Sequence, residues 1–128
     1  MSKKCVIITA PGFQDEEVVY PYYRVLEEGH SVEVATKDGA VVYGKYGVPA
    51  RATMATTDLK SANFDCVILP GGFEAPDRVR LLPEVQVFVR EMDEQKKLVA
   101  AICHGPWIMI SAEVCRGRKM TAFWSIEA

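Results

Sequence analysis

Short runs of β-branched and aliphatic residues alternate along the chain with longer stretches whose apolar positions recur every three or four residues. The first run, Lys4 to Thr9 (KCVIIT), is continuously apolar at its centre and predicts a buried strand. From Asp15 to Glu28, Val18, Tyr22 and Val25, with Val19, Tyr23 and Leu26 beside them, share a helical face that Gly29 closes as a C-terminal cap. Pro21 lies inside this helix. Lacking an N–H, it leaves the Glu17 carbonyl without its usual partner, so distortion is expected near Glu17. Ser31 to Thr36 alternates as a second strand, and residues 39–49, rich in Gly, Val and Tyr, read as a short hairpin at the sheet edge.

Cys66 to Leu69 predicts a central strand that stops at Pro70-Gly71-Gly72. Pro83 opens a helix with Val85, Phe88, Val89 and Met92 on one face and Lys96 and Lys97 at its negative end. Leu98 to Ile102 reads as another buried strand. Pro106 starts a nearly all-apolar helix, Trp107 to Val114, which implies burial on most sides, and Met120 to Trp124 predicts a last strand. Residues 125–128 supply no closing helix over that strand. The alternation of strands and helices is that of a parallel sheet wrapped by helices, in a single α/β domain over residues 1–128 without repeats or linkers.

Composition narrows the functional classes. With 128 residues, 49% of them hydrophobic and 25% charged, the chain can bury one real core and is not a disordered segment. The net charge is −2 and no basic tract is interleaved with aromatics, so a nucleic-acid partner is not expected. Lys3 and Lys4 precede an apolar stretch, but Cys5 to Ala10 is too short for a signal peptide and ends at Pro11-Gly12. No segment approaches a membrane span, and the expected location is the cytoplasm. The four cysteines form no CxxC pair and no zinc-like spacing, so free thiols are expected, with no metal and no cofactor. Cys5, Cys66 and Cys115 read as inert core thiols, and His30 as a structural or solvent-exposed turn residue.

The chemistry concentrates at Leu98-Val-Ala-Ala-Ile-Cys103-His104-Gly105-Pro106. A strand delivers a cysteine, Ala101 and Gly105 flank it two residues away on either side, and a helix opens at once, as in a nucleophile elbow. Small neighbours let the thiol stand clear of the sheet on a strained turn, and a positive φ at Cys103 is expected. The positive end of the following helix favours thiolate, and His104 is an available base. A Cys-His dipeptide alone reads equally well as a buried cysteine beside a loop histidine; the strand, the small flanks and the proline turn the reading toward a nucleophile. Pro70-Gly71-Gly72 offers backbone N–H groups for an oxyanion hole with His104, or is a tight turn only. Gln14-Asp15-Glu16-Glu17 either brings a carboxyl to the thiol or complements the helix dipole.

These residues resemble the ThiJ/PfpI superfamily, and within it the PfpI-type intracellular protease branch, through Ala101-Ile-Cys-His-Gly-Pro106, Leu69-Pro-Gly-Gly72, Ala75-Pro-Asp-Arg78, Tyr20-Pro-Tyr22, Glu27-Glu-Gly-His30 and Gly117-Arg-Lys119. The resemblance runs over essentially the whole chain. It implies a flavodoxin-like three-layer α/β/α sandwich of the class I glutamine amidotransferase-like type, with a mostly parallel sheet. Cys103 would be nucleophile and His104 its partner, Gly72 and His104 the oxyanion donors, and Glu17 a protonated carboxyl against the thiol. Asp77, where relatives often carry Glu, would be the triad acid donated across a homo-oligomer interface; a helix N-cap after Pro76 is its other reading. Gln14 stands where relatives often carry an acid and is given no catalytic role. Relatives continue past the strand near Trp124 with further strands and a helix, so the resemblance implies that C-terminal elements are lacking here.

The function implied is that of a cysteine-nucleophile hydrolase acting on peptides or amides, or on α-oxoaldehydes as a glyoxalase III or deglycase. The alternative is a redox sensor or stress-response chaperone that uses an oxidisable Cys103. A glutamine amidohydrolase shares the elbow but places its histidine far along the chain, which the adjacent His104 argues against.

Overall fold

The computed structural model describes residues 2–126. Strands β1 (Lys4–Ile8), β2 (Ser31–Thr36), β5 (Met54–Ala55), β6 (Cys66–Leu69) and β7 (Leu98–Ala101) form one sheet in the order β5-β2-β1-β6-β7, with every neighbouring pair parallel. A separate antiparallel pair, β3 (Val42–Tyr43) and β4 (Pro49–Ala50), is the hairpin expected within residues 39–49. Helices α1 (Asp15–Glu27), α2 (Glu74–Val79), α3 (Pro83–Glu94) and α4 (Pro106–Ser111) complete the fold. The chain moves one way along the sheet from β1 to β2 and the opposite way from β6 to β7. Right-handed crossovers therefore place α1 and α3 on opposite faces, which is the flavodoxin-like arrangement.

The core of the sheet and of α3 lies where the pattern put it, whereas Tyr23 and Leu26 of α1, expected on its apolar face, are exposed because only the Val18 side of that helix packs on the sheet. Val6, Ile7 and Ile8 of β1 and Val67 and Leu69 of β6 are fully buried, and Val85, Phe88, Val89 and Met92 of α3 close over them. Gly29, at φ 87°, ends α1 with the His30 N–H reaching back to the Val25 carbonyl at 3.3 Å. Helix α1 runs on through Pro21 as a single element.

Several expectations are corrected. Met120 to Trp124 is not a strand: residues 119–123 have no regular structure and Trp124–Ile126 forms a 3-10 turn. A strand exists only by pairing, and the backbone contact made there is the Phe123 N–H on the Cys103 carbonyl at 2.9 Å. Glu127 and Ala128, the rest of the segment expected to supply no helix, lie outside the described residues. β7 is the edge strand of the described sheet rather than a buried one, with Leu98 62% exposed. α4 stops three residues earlier than expected, because Glu113 takes φ 62° and the Val114 N–H bonds back to Met109. Its Ile108 and Met109 are buried while Ile110 faces outward. α2 was not anticipated, and Asp77 lies inside it rather than at its N-cap, which Phe73 occupies. Cys115 is half-buried rather than a core thiol.

Candidate active site

The sheet's order reverses between β1 and β6, and in such sheets ligand sites form beyond the carboxyl ends of the strands at that point. Three loops meet there: residues 9–14 after β1, Pro70 to Phe73 after β6, and Ile102 to Gly105 after β7. Phe13 pairs with Gly72 as an isolated antiparallel bridge, and the Gln14 N–H donates to the Gly71 carbonyl at 3.3 Å. Gly72 has φ 86°, and a β-carbon on it would fall 2.6 Å from the Gly12 carbonyl oxygen, so only glycine fits this turn.

Cys103 has φ 60°, the strained elbow conformation expected from its small neighbours. Gly105 explains the second small flank: a β-carbon there would collide with the carbonyl oxygen of Leu69, the last residue of β6. The turn brings neighbouring side chains to one side. Cys103 Sγ lies 3.3 Å from His104 Nδ1, and His104 Nε2 lies 3.1 Å from Ser125 Oγ. Burial, with the Lys45 charge adding to it, lowers the His104 pKa and favours a neutral ring. A neutral ring with its proton on Nε2 donates to Ser125 and accepts the thiol proton at Nδ1. Phe123 stacks on the His104 ring at 4.4 Å and Phe73 meets it edge-on at 5.5 Å, fixing its plane.

Glu17, in the first turn of α1, reaches across to the glycine turn, where the Gly71 N–H donates to its Oε1 at 2.8 Å. The Glu17 carboxyl and Cys103 converge on Gly71: a β-carbon there would lie 2.6 Å from Glu17 Oε1 and 2.7 Å from Cys103 Cβ. Burial pushes the Glu17 pKa up and Glu16 adds to it, while the Gly71 N–H and Lys45 pull the other way. The net shift is toward the neutral acid. The Gly72 and His104 backbone N–H groups bond to no other protein group among the described residues and remain available to an oxyanion.

Asp77 is not brought to this cluster within one chain. Its Oδ1 accepts from Arg80 Nε at 3.0 Å, the Arg80 guanidinium lies 4.3 Å from the centre of the Trp107 ring, and no hydrogen bond or ion pair joins Asp77 to His104. Gln14 bonds its neighbour Glu16. Asp15 is 6% exposed and accepts the N–H groups of Tyr46 and Val48, 3.0 Å each, tying the β3–β4 hairpin to α1. Ser125, Phe123 and Lys45 were not read from the sequence, since the 123–125 segment and the hairpin carry no local motif, and neither was Phe73, an aromatic beside a glycine turn that has no spacing of its own to mark it. His30 Nδ1 accepts the Lys3 N–H at 3.0 Å, a structural role. Cys5 and Cys66 stand opposite each other on β1 and β6. Burial raises both, Cys66 to about 12, and raises Cys115 as well. Among the described residues no group of three or more potential ligands could hold a metal ion, and no helix is long and apolar enough to cross a membrane.

Fold and site together define a class: an α/β protein with a parallel sheet that presents a cysteine on a strand-to-helix elbow, against a histidine and a glycine turn. The chain belongs to the DJ-1/PfpI family, whose sequence model matches residues 3–128. It is 42% identical over 124 residues to a deglycase of Pyrococcus horikoshii, an alignment covering 97% of this chain and 74% of that one. A deglycase of Pyrococcus furiosus is also 42% identical, over 123 residues, covering 96% and 74%. Among solved structures, a two-domain protein of Anabaena variabilis with DJ-1/ThiJ/PfpI-like and ferritin-like domains superimposes with a TM-score of 0.94 at 36% identity. That match covers 98% of this chain but only 36% of the larger protein.

Proposed function

We propose that the chain is a cysteine-dependent hydrolase of deglycase type, acting on adducts of α-oxoaldehydes such as methylglyoxal with thiols or amines. The observation that carries this reading is the Cys103 thiol at a positive-φ elbow, 3.3 Å from a histidine nitrogen that burial keeps neutral. His104 Nδ1 takes the thiol proton, and the sulfur bonds to the aldehyde-derived carbon, releasing the adduct's own thiol or amine with that proton. Transfer of hydrogen from this carbon to the adjoining ketone carbon gives a thioester, and water hydrolyses it to lactate and free Cys103. For a thiol adduct, RS–CH(OH)–CO–CH3 and water give RSH and lactic acid, with one carbon oxidised as its neighbour is reduced. The Gly72 and His104 N–H groups hold the oxyanion, and neutral Glu17 donates a hydrogen bond without opposing the thiolate charge.

Relatives named deglycase support this chemistry, and one of Bacillus subtilis named a putative cysteine protease keeps peptide cleavage as the second reading. Amide cleavage would call for an imidazole held by an acid, and within one chain His104 Nε2 faces Ser125. Asp77 of a second copy would supply that acid in a homo-oligomer. Light scattering that shows a strict monomer removes the intersubunit triad from the reading. The decisive test compares wild type and Cys103→Ala on glycated N-acetylcysteine and on a peptide amide. Loss of deglycase turnover by about a hundredfold or more is expected. Retained turnover in Cys103→Ala overturns the reading. Saturable peroxide modification of Cys103 by mass spectrometry, with no turnover in wild type, would favour redox sensing instead.

A further inference from the structure

Lys45 lies on the β3–β4 hairpin, beside the loop that borders the glycine turn, and backbone bonds hold it there. Its N–H donates to the Phe13 carbonyl at 2.8 Å, and the Gly12 N–H donates to the Tyr43 carbonyl at 2.9 Å. Phe13 is itself bridged to Gly72. The hairpin, the loop after β1 and the glycine turn therefore lie as three adjacent backbone rows, with Lys45 in the outermost. The Asp15 carboxylate clamps the same hairpin from the first turn of α1, close enough to Gly44 that a β-carbon there would fall 2.5 Å from Oδ1.

The Lys45 side chain is exposed, its ammonium 5.9 Å from the Tyr46 ring centre, and it joins no ion pair among the described residues. Its charge nevertheless reaches both Glu17 and His104. Of the α1 anions, Asp15 is committed to the Tyr46 and Val48 N–H groups and Glu16 accepts from Gln14 Nε2. The proposed bond-making steps assign this cation nothing to do, and neutral methylglyoxal gives it nothing to bind.

We infer that Lys45 determines specificity, favouring α-oxoaldehyde adducts that carry a carboxylate a few atoms from the reacting carbon, such as adducts of amino acids or short peptides. The inference rests on the proposed deglycase chemistry. An exposed cation at the rim supplies a modest preference, about threefold to fivefold, that salt screens.

The test uses two substrates with the same reacting carbon and one charge between them: the methylglyoxal hemithioacetals of N-acetylcysteine and of its methyl ester. Wild type is expected to turn over the acid with a kcat/KM about fivefold above the ester at low salt, falling toward parity near about 0.5 M salt. Lys45→Met should bring the ratio to one, Lys45→Arg should retain it, and Lys45→Glu should invert it. Each ratio is internal to one variant, so a change in folded fraction cancels. A ratio unaltered in Lys45→Met overturns the inference. If Cys103→Ala abolishes both activities while the ratio ignores Lys45, only the inference fails; if Cys103→Ala retains both, the underlying reading fails.

Discussion

Gly71→Ala places one methyl group at the point where α1, the elbow and the glycine turn converge. Gly71 is not among the positive-φ glycines, so alanine fits its backbone and loses less chain entropy on folding, a gain of about 0.4–1 kcal/mol. Against that, the new carbon would lie 2.6 Å from Glu17 Oε1, 2.7 Å from Cys103 Cβ and 3.0 Å from the His104 nitrogen. Restoring ordinary contact requires the first two to retreat by about 1 Å, and overpacking of this kind typically costs about 1–3 kcal/mol. The net loss of stability should be about 1–2 kcal/mol. Catalysis should suffer more, because a displacement of about 1 Å at reacting groups costs about a hundredfold. Urea unfolding gives the first quantity from the midpoint at constant slope, and kcat/KM on a methylglyoxal adduct gives the second. If the variant loses stability as calculated but keeps kcat/KM within about threefold, Glu17 and Cys103 do not work as a pair and the proposed geometry is wrong.

Three further outcomes are expected. Glu17 holds its proton to higher pH folded than unfolded, so the stability it contributes is present at low pH and lost as pH rises through the raised pKa. Glu17→Gln keeps an acceptor for the Gly71 N–H and removes that loss. Its melting temperature should therefore gain on wild type between about pH 4 and pH 7, and a difference that ignores pH would count against a buried neutral acid. Ser125→Ala removes the partner of His104 Nε2 and should lower kcat/KM by about tenfold while changing stability by less than about 1.5 kcal/mol, with Ser125→Thr restoring activity. Asp15→Ala deprives two hairpin N–H groups of a charged acceptor and should destabilise by about 3 kcal/mol, with amide exchange accelerating first in residues 42–50; uniform acceleration would deny the hairpin its dependence on Asp15.

What could be read along the chain was whatever neighbouring residues decide between themselves. The apolar face of α3, the Gly29 cap and the bounds of β2 and β6 came through because each is a local pattern. The elbow was legible for the same reason, since small residues on both sides of a cysteine at a strand end leave few other conformations. Position within the sheet was not. Leu98 to Ala101 is as apolar as a central strand, yet strand order puts it at the edge. Met120 to Trp124 has strand composition but no ladder to join. Ser125 meets His104 and Lys45 meets Phe13 across 21 and 32 residues of sequence, and no spacing rule links them. Asp77 was legible only through resemblance, and a single chain leaves it with Arg80.

The facing thiols of β1 and β6, together with Cys115, bear on how this protein can be labelled. All three have raised pKa values and resist thiolate formation near neutral pH. A maleimide or iodoacetamide dye applied briefly to the unaltered chain should therefore attach first at Cys103, ahead of half-buried Cys115 and of buried Cys5 and Cys66. The dye-to-protein ratio then counts competent sites directly, and no cysteine-free background has to be built before distances, turnover or inhibitor occupancy are measured at that sulfur.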